Sequence, residues 1–164
     1  LLSLEEPRAG ALPEARMQGQ LRGLEDVLGK SLEASLTVLN SGNTSAASAL
    51  QVQHALAERP DAHRIAVISF NDDAALGALK AARLMKREED LAIVGQGADR
   101  MVRQELRQPG ARIIGSTAFM PERYGEKLID LSLRLLHGES VPPAVYMDHV
   151  FVDASNVDLH YPAA

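Results

Sequence analysis

The stretch Ile65-Ala66-Val67-Ile68-Ser69-Phe70-Asn71-Asp72-Asp73-Ala74-Ala75-Leu76-Gly77-Ala78 joins an apolar run, a polar group and an alanine-rich segment. Its near-continuous apolar run predicts a strand covered on both faces, as in parallel sheets. The segment that follows predicts a helix from about Asp72 to Lys86, with small residues that let it lie close to the sheet. A strand followed directly by a helix is the unit from which parallel α/β folds are built.

Similar units flank this one along the chain. Short apolar runs predict strands over residues 36–39, 91–94 and 113–115, and residues 1–4 could form a fifth. Helical spacing, with Pro13 near one start and Gly29 and Gly138 as stops, predicts further helices over about 13–28, 44–59, 99–107 and 121–137. Residues 145–152 indicate one more extended segment. The alternation predicts an α/β fold with a doubly wound, mostly parallel sheet.

The composition excludes several classes of function. Seventeen basic and 22 acidic residues give a net charge of −5, and no basic cluster supports contact with nucleic acid by this segment. There are no cysteines, and the histidines share no i, i+4 spacing that would suit a metal site. Nucleophile-elbow, phosphate-loop and zinc-protease motifs are missing from the sequence. We therefore predict no enzyme activity, no catalytic residues, no metal and no cofactor.

Ligands of open α/β sheets bind beyond the carboxyl ends of the strands, so the polar residues there matter most. Asn71 follows a predicted strand, and its amide can bond a hydroxylated ligand or can cap the next helix. Gly95-Gln96-Gly97 lacks the third glycine of a dinucleotide fingerprint and predicts a tight turn capped by Asp99. Arg16, placed in the first turn of the first helix, can fork onto hydroxyls or a carboxylate, or can lie solvated on the surface.

Three segments together carry a family resemblance. They are Ala15-Arg16-Met17-Gln18-Gly19, residues 68–78 and Ile93-Val94-Gly95-Gln96-Gly97. In their order they resemble the type I periplasmic sugar-binding proteins and the related effector domains of lactose-repressor-like regulators. Residues 121–125 and 135–142 continue the same plan, and residues 151–157 resemble the solute-binding branch more closely. The resemblance covers nearly the whole chain and implies one lobe of a periplasmic-binding-protein-like type I fold.

The resemblance also implies a set of ligand-binding residues. Asn71 and Arg16 occupy positions that hydrogen-bond the sugar in the family, and helix capping would then pass to Asp72 or Asp73. The chain departs from the family at two positions. Gln96-Gly97 stands where an aspartate often holds sugar hydroxyls, and Phe119 stands where many members have glutamine. Phe119 could stack on a ring or simply pack. The predicted ligand contacts are Glu5, Arg16, Asn71, Gln96 and Phe119.

The resemblance further implies a division of the chain and a function. Residues 1–118 would form the second ligand-binding lobe, residues 119–143 a helix that packs on a missing first lobe, and residues 144–164 a returning strand and tail. The chain is therefore expected to be a partial protein. We expect it to bind a small polar ligand, a sugar above all, as the solute-binding component of an ABC transporter. It would then be periplasmic or extracytoplasmic and would meet a membrane permease. The alternative is the effector-binding domain of a cytoplasmic transcriptional regulator.

Overall fold

A computed structural model describes residues 1–163 and, at residues 11–13, the backbone alone. Six strands form one sheet in the order β2-β1-β3-β4-β5-β6, and all neighbours are parallel except β5 and β6. The strands are β1 (Leu2–Glu5), β2 (Thr37–Asn40), β3 (Ile65–Ser69), β4 (Leu91–Gly97), β5 (Ile113–Ala118) and β6 (Val150–Val152). The α-helices are α1 (Ala11–Leu28), α2 (Ser45–Ala57), α3 (Asp72–Leu84), α4 (Arg100–Leu106), α5 (Tyr124–Leu136) and α6 (Val157–His160). The predicted doubly wound α/β fold is confirmed.

The strand order places a topological switch between β1 and β3. The chain leaves β1 toward β2 on one side and later returns to β3 on the other. Right-handed crossovers then set α1 on one face of the sheet and α2, α3 and α4 on the opposite face. The connections diverge at the carboxyl ends of β1 and β3, and this divergence opens a crevice there.

The core on the α2 and α3 side is built from small side chains. Ala74, Ala75 and Ala78 of α3 are fully buried, and α3 packs against α2 as well as against the sheet. A Cβ at Gly77 would lie 2.4 Å from the backbone oxygen of Ser45, so only glycine permits this separation of the two helices. Close helix packing fixes where α3 begins, and with it the position of the polar residues that follow β3.

Several predicted boundaries were wrong in detail. β4 continues through Gly95 to Gly97, where a tight turn was predicted, and the side chain of Asp99 makes no capping hydrogen bond to α4. Arg16 lies in the second turn of α1 and not in the first. A short 3-10 turn at Pro121–Arg123 precedes α5. Of the extended segment predicted over residues 145–152, only Val150–Val152 forms a strand.

The last long helix, α5, presents an apolar surface to solvent. Its exposed large side chains are Leu128, Ile129, Leu133, Leu135 and Leu136, and Leu136 is 81% exposed. Residues of α5 pack mainly against the short turn that precedes the helix. These apolar side chains are therefore exposed in this chain, and the predicted packing of residues 119–143 on another lobe remains a prediction. No helix among residues 1–163 has the length and apolar character needed to cross a membrane.

Candidate functional site

The side chain of Asn71 sits at the crevice between the carboxyl ends of β1 and β3 and makes two contacts. Its Oδ1 accepts a hydrogen bond of 2.9 Å from the backbone N–H of Ala74, which makes Asn71 the N-cap of α3. Its Nδ2 donates to the Oδ1 of Asn43, in the loop after β2. The expectation that Asp72 or Asp73 caps this helix was therefore wrong. The amide spans two elements and is half-buried, which leaves part of it open to the crevice.

Arg16 and Phe119 are brought together from distant parts of the chain. The guanidinium carbon of Arg16 lies 4.6 Å from the centre of the Phe119 ring and 5.8 Å from the centre of the Phe70 ring. A guanidinium over an aromatic face is attracted by the ring quadrupole, by about 0.5–1 kcal/mol at exposed sites. Arg16 itself is exposed and Phe119 half-buried. The two rings hold a cationic donor group at the edge of the sheet.

Gln96 lies on β4, where it pairs with Thr117 of β5. It is only 6% exposed, and within the described part of the chain its side-chain amide makes no hydrogen bond and keeps some contact with solvent. Successive side chains of a strand point to opposite faces, and a Cβ at Gly95 or Gly97 would point toward Asp72. Gln96 therefore points to the other face, which is the side that carries α1.

Glu5 stands apart from the other predicted contacts. Its Oε1 accepts a hydrogen bond of 2.6 Å from the hydroxyl of Ser3 on the same strand. The next residue, Glu6, is buried and receives two hydrogen bonds of 2.9 Å from the guanidinium of Arg8, which lower the pKa of Glu6 to about 2. Across residues 1–163, Glu5 shares no hydrogen bond, ion pair or ring contact with Arg16, Asn71, Gln96 or Phe119.

Behind the edge lies a buried carboxylate, that of Asp72. Its Oδ2 accepts a hydrogen bond of 2.6 Å from the backbone N–H of Asp99, and its Oδ1 accepts one of 2.7 Å from the hydroxyl of Ser116. Burial outweighs both bonds and raises the pKa of Asp72 to about 6. A Cβ at Gly95 would lie 2.2 Å from Oδ1, so the glycine provides the space that the carboxylate occupies.

Three residues were not predicted to contribute to this site in the way that the structure shows: Phe70, Asn43 and Asp72. A usable signal existed for two of them, because Phe70 and Asn43 follow β3 and β2 and the carboxyl ends of parallel strands share one edge. Asp72 was considered only as a helix cap and not as a buried carboxylate that bonds two other elements. Its partners Asp99 and Ser116 lie 27 and 44 residues away, and no local pattern joins them.

A family model described as a periplasmic binding protein-like domain matches residues 6–150. The chain belongs to this family. The family resemblance predicted from the sequence is thereby confirmed. No curated protein matches the chain at the level of sequence.

Solved structures share the fold of this periplasmic binding protein-like domain at low sequence identity. One is an ABC transporter solute-binding protein of Actinobacillus succinogenes with bound D-allose, with 16% identity and a TM-score of 0.83 over 96% of this chain. A second, from Agrobacterium vitis with bound allitol, has 22% identity and a TM-score of 0.80 over 97% of this chain. A third is a periplasmic ribose ABC transporter protein of Conexibacter woesei, with 16% identity and a TM-score of 0.77 over 99%. The chain spans about half of their lengths, 54%, 55% and 53% in the same order.

Proposed function

We propose that this chain forms one lobe of a solute-binding protein that captures a sugar or a polyol for an ABC transporter. The observation that carries the proposal is the grouping of Asn71, Arg16 and two aromatic rings at the carboxyl edge of a periplasmic-binding-protein-like sheet. Such a protein works outside the cytoplasm and delivers its ligand to a membrane permease. It binds its ligand without converting it.

The chemistry of this edge suits a neutral, hydroxylated ligand. After its bonds to Asn43 and Ala74, the Asn71 amide keeps one N–H and one oxygen lone pair for a ligand, and the Arg16 guanidinium can fork onto neighbouring hydroxyls. Gln96 supplies a second amide that makes no hydrogen bond to the protein within the described residues and keeps some contact with solvent. The apolar faces of Phe70 and Phe119 suit the C–H faces of a sugar ring. Glu5, bonded to Ser3, stays the most peripheral member of the proposed set.

The apolar face of α5 supports a second part of the proposal, which concerns domain organisation. We propose that residues 119–143 pack on a further lobe and that residues 1–118 and 144–164 complete the present one. Five large apolar side chains exposed on one helix form a patch of the kind that marks an interaction site. The ligand would lie between the two lobes, and their closure about a hinge would enclose it.

Calorimetric titration of the full-length protein against a panel of monosaccharides and polyols tests the function. The panel includes D-allose, D-ribose, D-fructose, D-galactose and allitol. Asn71→Asp is the informative variant, because it keeps the carbonyl-type oxygen that caps α3 and removes the Nδ2 donor. Loss of a donor to a ligand costs about 1–3 kcal/mol, which corresponds to an affinity loss of roughly 5- to 150-fold.

Asn156→Ala is the matched control. This amide also makes two hydrogen bonds, to the N–H of Asp153 and to the carbonyl of Phe151, but it lies at the opposite edge of the sheet. We expect the control to bind the sugar like the parent protein. Binding of no panel member, or equal affinity of Asn71→Asp and the parent, would refute the proposed site.

A further inference from the structure

Asp72 ties together three elements that surround the candidate site. It is the first residue of α3, its Oδ2 bonds the turn that leaves β4, and its Oδ1 bonds Ser116 in the middle of β5. We propose that Asp72 is a positioning residue that holds the turn of residues 97–99 in its binding-competent position and makes ligand affinity fall in acid. The effect on affinity rests on the function proposed above, and the effect on the turn does not.

The turn depends on these bonds because its own backbone is unfavourable. Ala98 has a φ of 53°, a left-handed conformation that is uncommon for residues other than glycine, and Gly97 has a φ of 139°. Hydrogen bonds to buried side chains fix two neighbouring backbone N–H groups of the turn. Ala98 donates to the hydroxyl of Ser116 at 2.9 Å, and Asp99 donates to Asp72 at 2.6 Å. Since Ser116 also donates to Asp72, the carboxylate orients the hydroxyl that accepts from Ala98.

The turn and the ligand-binding edge are directly connected. Gln96 precedes Gly97 on β4, and Asn71 precedes Asp72 at the start of α3. A shift of Asp72 relative to β4 therefore changes the distance between two of the proposed ligand contacts. The effect is transmitted through the backbone over one residue on each side, so it requires no large movement of the sheet.

The groups around the carboxylate make it sensitive to proton concentration. Asp73 on its own helix and Asp99 on the turn are the charged groups that act on it, and both raise the pKa of Asp72. β5 contributes the neutral hydroxyl of Ser116, and β4 contributes Gly95 and Gly97, which bring the backbone close. Burial adds to the repulsion and is the largest influence on the pKa.

Protonation removes one acceptor position from this network. The ionised carboxylate accepts from Ser116 and from Asp99 at once, whereas the acid has to donate a proton of its own. It can donate only to the Ser116 oxygen, which turns the Ser116 hydroxyl hydrogen away into buried space without a partner. The bond from Asp99 then ends on a neutral oxygen, and Ser116 is reoriented, so the two bonds that support the left-handed Ala98 are weakened and the turn is held less tightly.

Two measurements on the full-length protein test this mechanism. In the ligand-free protein, the amide signals of Ala98 and Asp99 are followed by NMR from pH 7.5 to pH 4.5, and we expect a transition near pH 6. In the second measurement, the affinity for the tightest-binding sugar of the panel is determined over the same range where the protein stays folded. We expect it to be about tenfold weaker at pH 5 than at pH 7.5.

Two variants separate positioning from a purely structural role. Asp72→Asn removes the titration, so the amide transition and the acid loss of affinity should both vanish. Ser116→Ala deletes a hydrogen bond that lowers the pKa of Asp72, so both midpoints should move to higher pH. Ser48→Ala is the matched control, because Ser48 is an equally buried serine whose hydroxyl bonds Ala74 on α3, away from the carboxylate. It should leave both midpoints unchanged.

Failure of the two proposals gives different results. If no sugar binds but the amides titrate and respond to Asp72→Asn and Ser116→Ala, the effect on the turn stands and the proposed function fails. If a sugar binds with the same pH profile in the parent and in Asp72→Asn, the positioning role of Asp72 is overturned. Midpoints of Ser116→Ala that equal those of the parent overturn it as well.

Discussion

Gly95→Ala should be among the most damaging single-methyl additions in this protein. An ideal Cβ at residue 95 would lie 2.2 Å from Asp72 Oδ1 and 3.3 Å from Ser116 Oγ. Heavy atoms cannot approach to 2.2 Å, so the carboxylate or the strand has to move. Asp72 and Ser116 are both fully buried and bonded to each other, which prevents either from swinging into solvent.

The cost follows from what the movement breaks. Displacing the carboxylate gives up at least one of its two hydrogen bonds, and bonds to a charged group contribute about 1.5–3 kcal/mol each. Forcing a methyl group into a packed site adds about 1–3 kcal/mol. We therefore expect the free energy of unfolding to fall by about 3–5 kcal/mol. For a domain of this size the melting temperature should drop by about 10 °C or more.

Urea unfolding followed by circular dichroism at pH 7.5 measures this loss. The matched control is Gly23→Ala, in α1, where no atom lies within 4 Å of the added Cβ. Alanine is the better helix former by about 0.5–1 kcal/mol, so the control should be slightly more stable than the parent. If Gly95→Ala lowers the free energy of unfolding by less than about 1 kcal/mol, the space around the Asp72 carboxylate is not rigidly packed.

Three further predictions concern other parts of the fold. In Gly115→Ala, the added Cβ would lie 2.1 Å from Cζ of Phe151, but that side chain is 47% exposed and can swing outward. Chemical unfolding should therefore show that the free energy of unfolding falls by less than about 1.5 kcal/mol. The pKa of Asp72 is about 6 in the folded state against about 3.8 in the unfolded state, so the folded state binds the proton more tightly. Relative to Asp72→Asn, the parent should therefore gain up to about 3 kcal/mol as the pH falls from about 6 to about 4, in paired urea titrations. Leu136→Asp should change the stability of this chain alone by less than about 0.5 kcal/mol. It should destabilise the proposed two-lobe protein by about 2 kcal/mol or more, as measured by thermal melts of both forms.

The fold was predictable because its signals are local. Apolar runs such as residues 65–68 and the helical spacing between them predicted the element order, and their alternation predicted the mostly parallel, doubly wound sheet. The strand β4 was predicted too short because glycines are rare in strand interiors. Gly95 and Gly97 are needed there for a reason that the sequence does not display, since both make room for the carboxylate of Asp72.

The candidate site was predictable only in part. Asn71 was predicted at the carboxyl edge, because strand ends can be located from the sequence. Its hydrogen bond from Ala74 shows that it caps α3, and its role as a ligand contact stays a prediction. The packing of Arg16 on Phe119 joins residues more than one hundred positions apart and has no local signature. Asp72 shows the same limit, because burial of a carboxylate is decided by elements that approach only in the folded chain.

The double use of the Asn71 side chain limits which residues can replace it at this position of the proposed ligand site. One end of the amide closes the first turn of α3, and the other end reaches Asn43. Only asparagine, aspartate, serine and threonine combine a small size with an acceptor that caps a helix well. Substitutions at residue 71 that keep the helix cap are therefore limited to these small polar amino acids. A library of variants aimed at larger or apolar ligands should therefore keep Asn71. It should vary Gln96 and Phe119 of the proposed site, because neither of these side chains caps a helix.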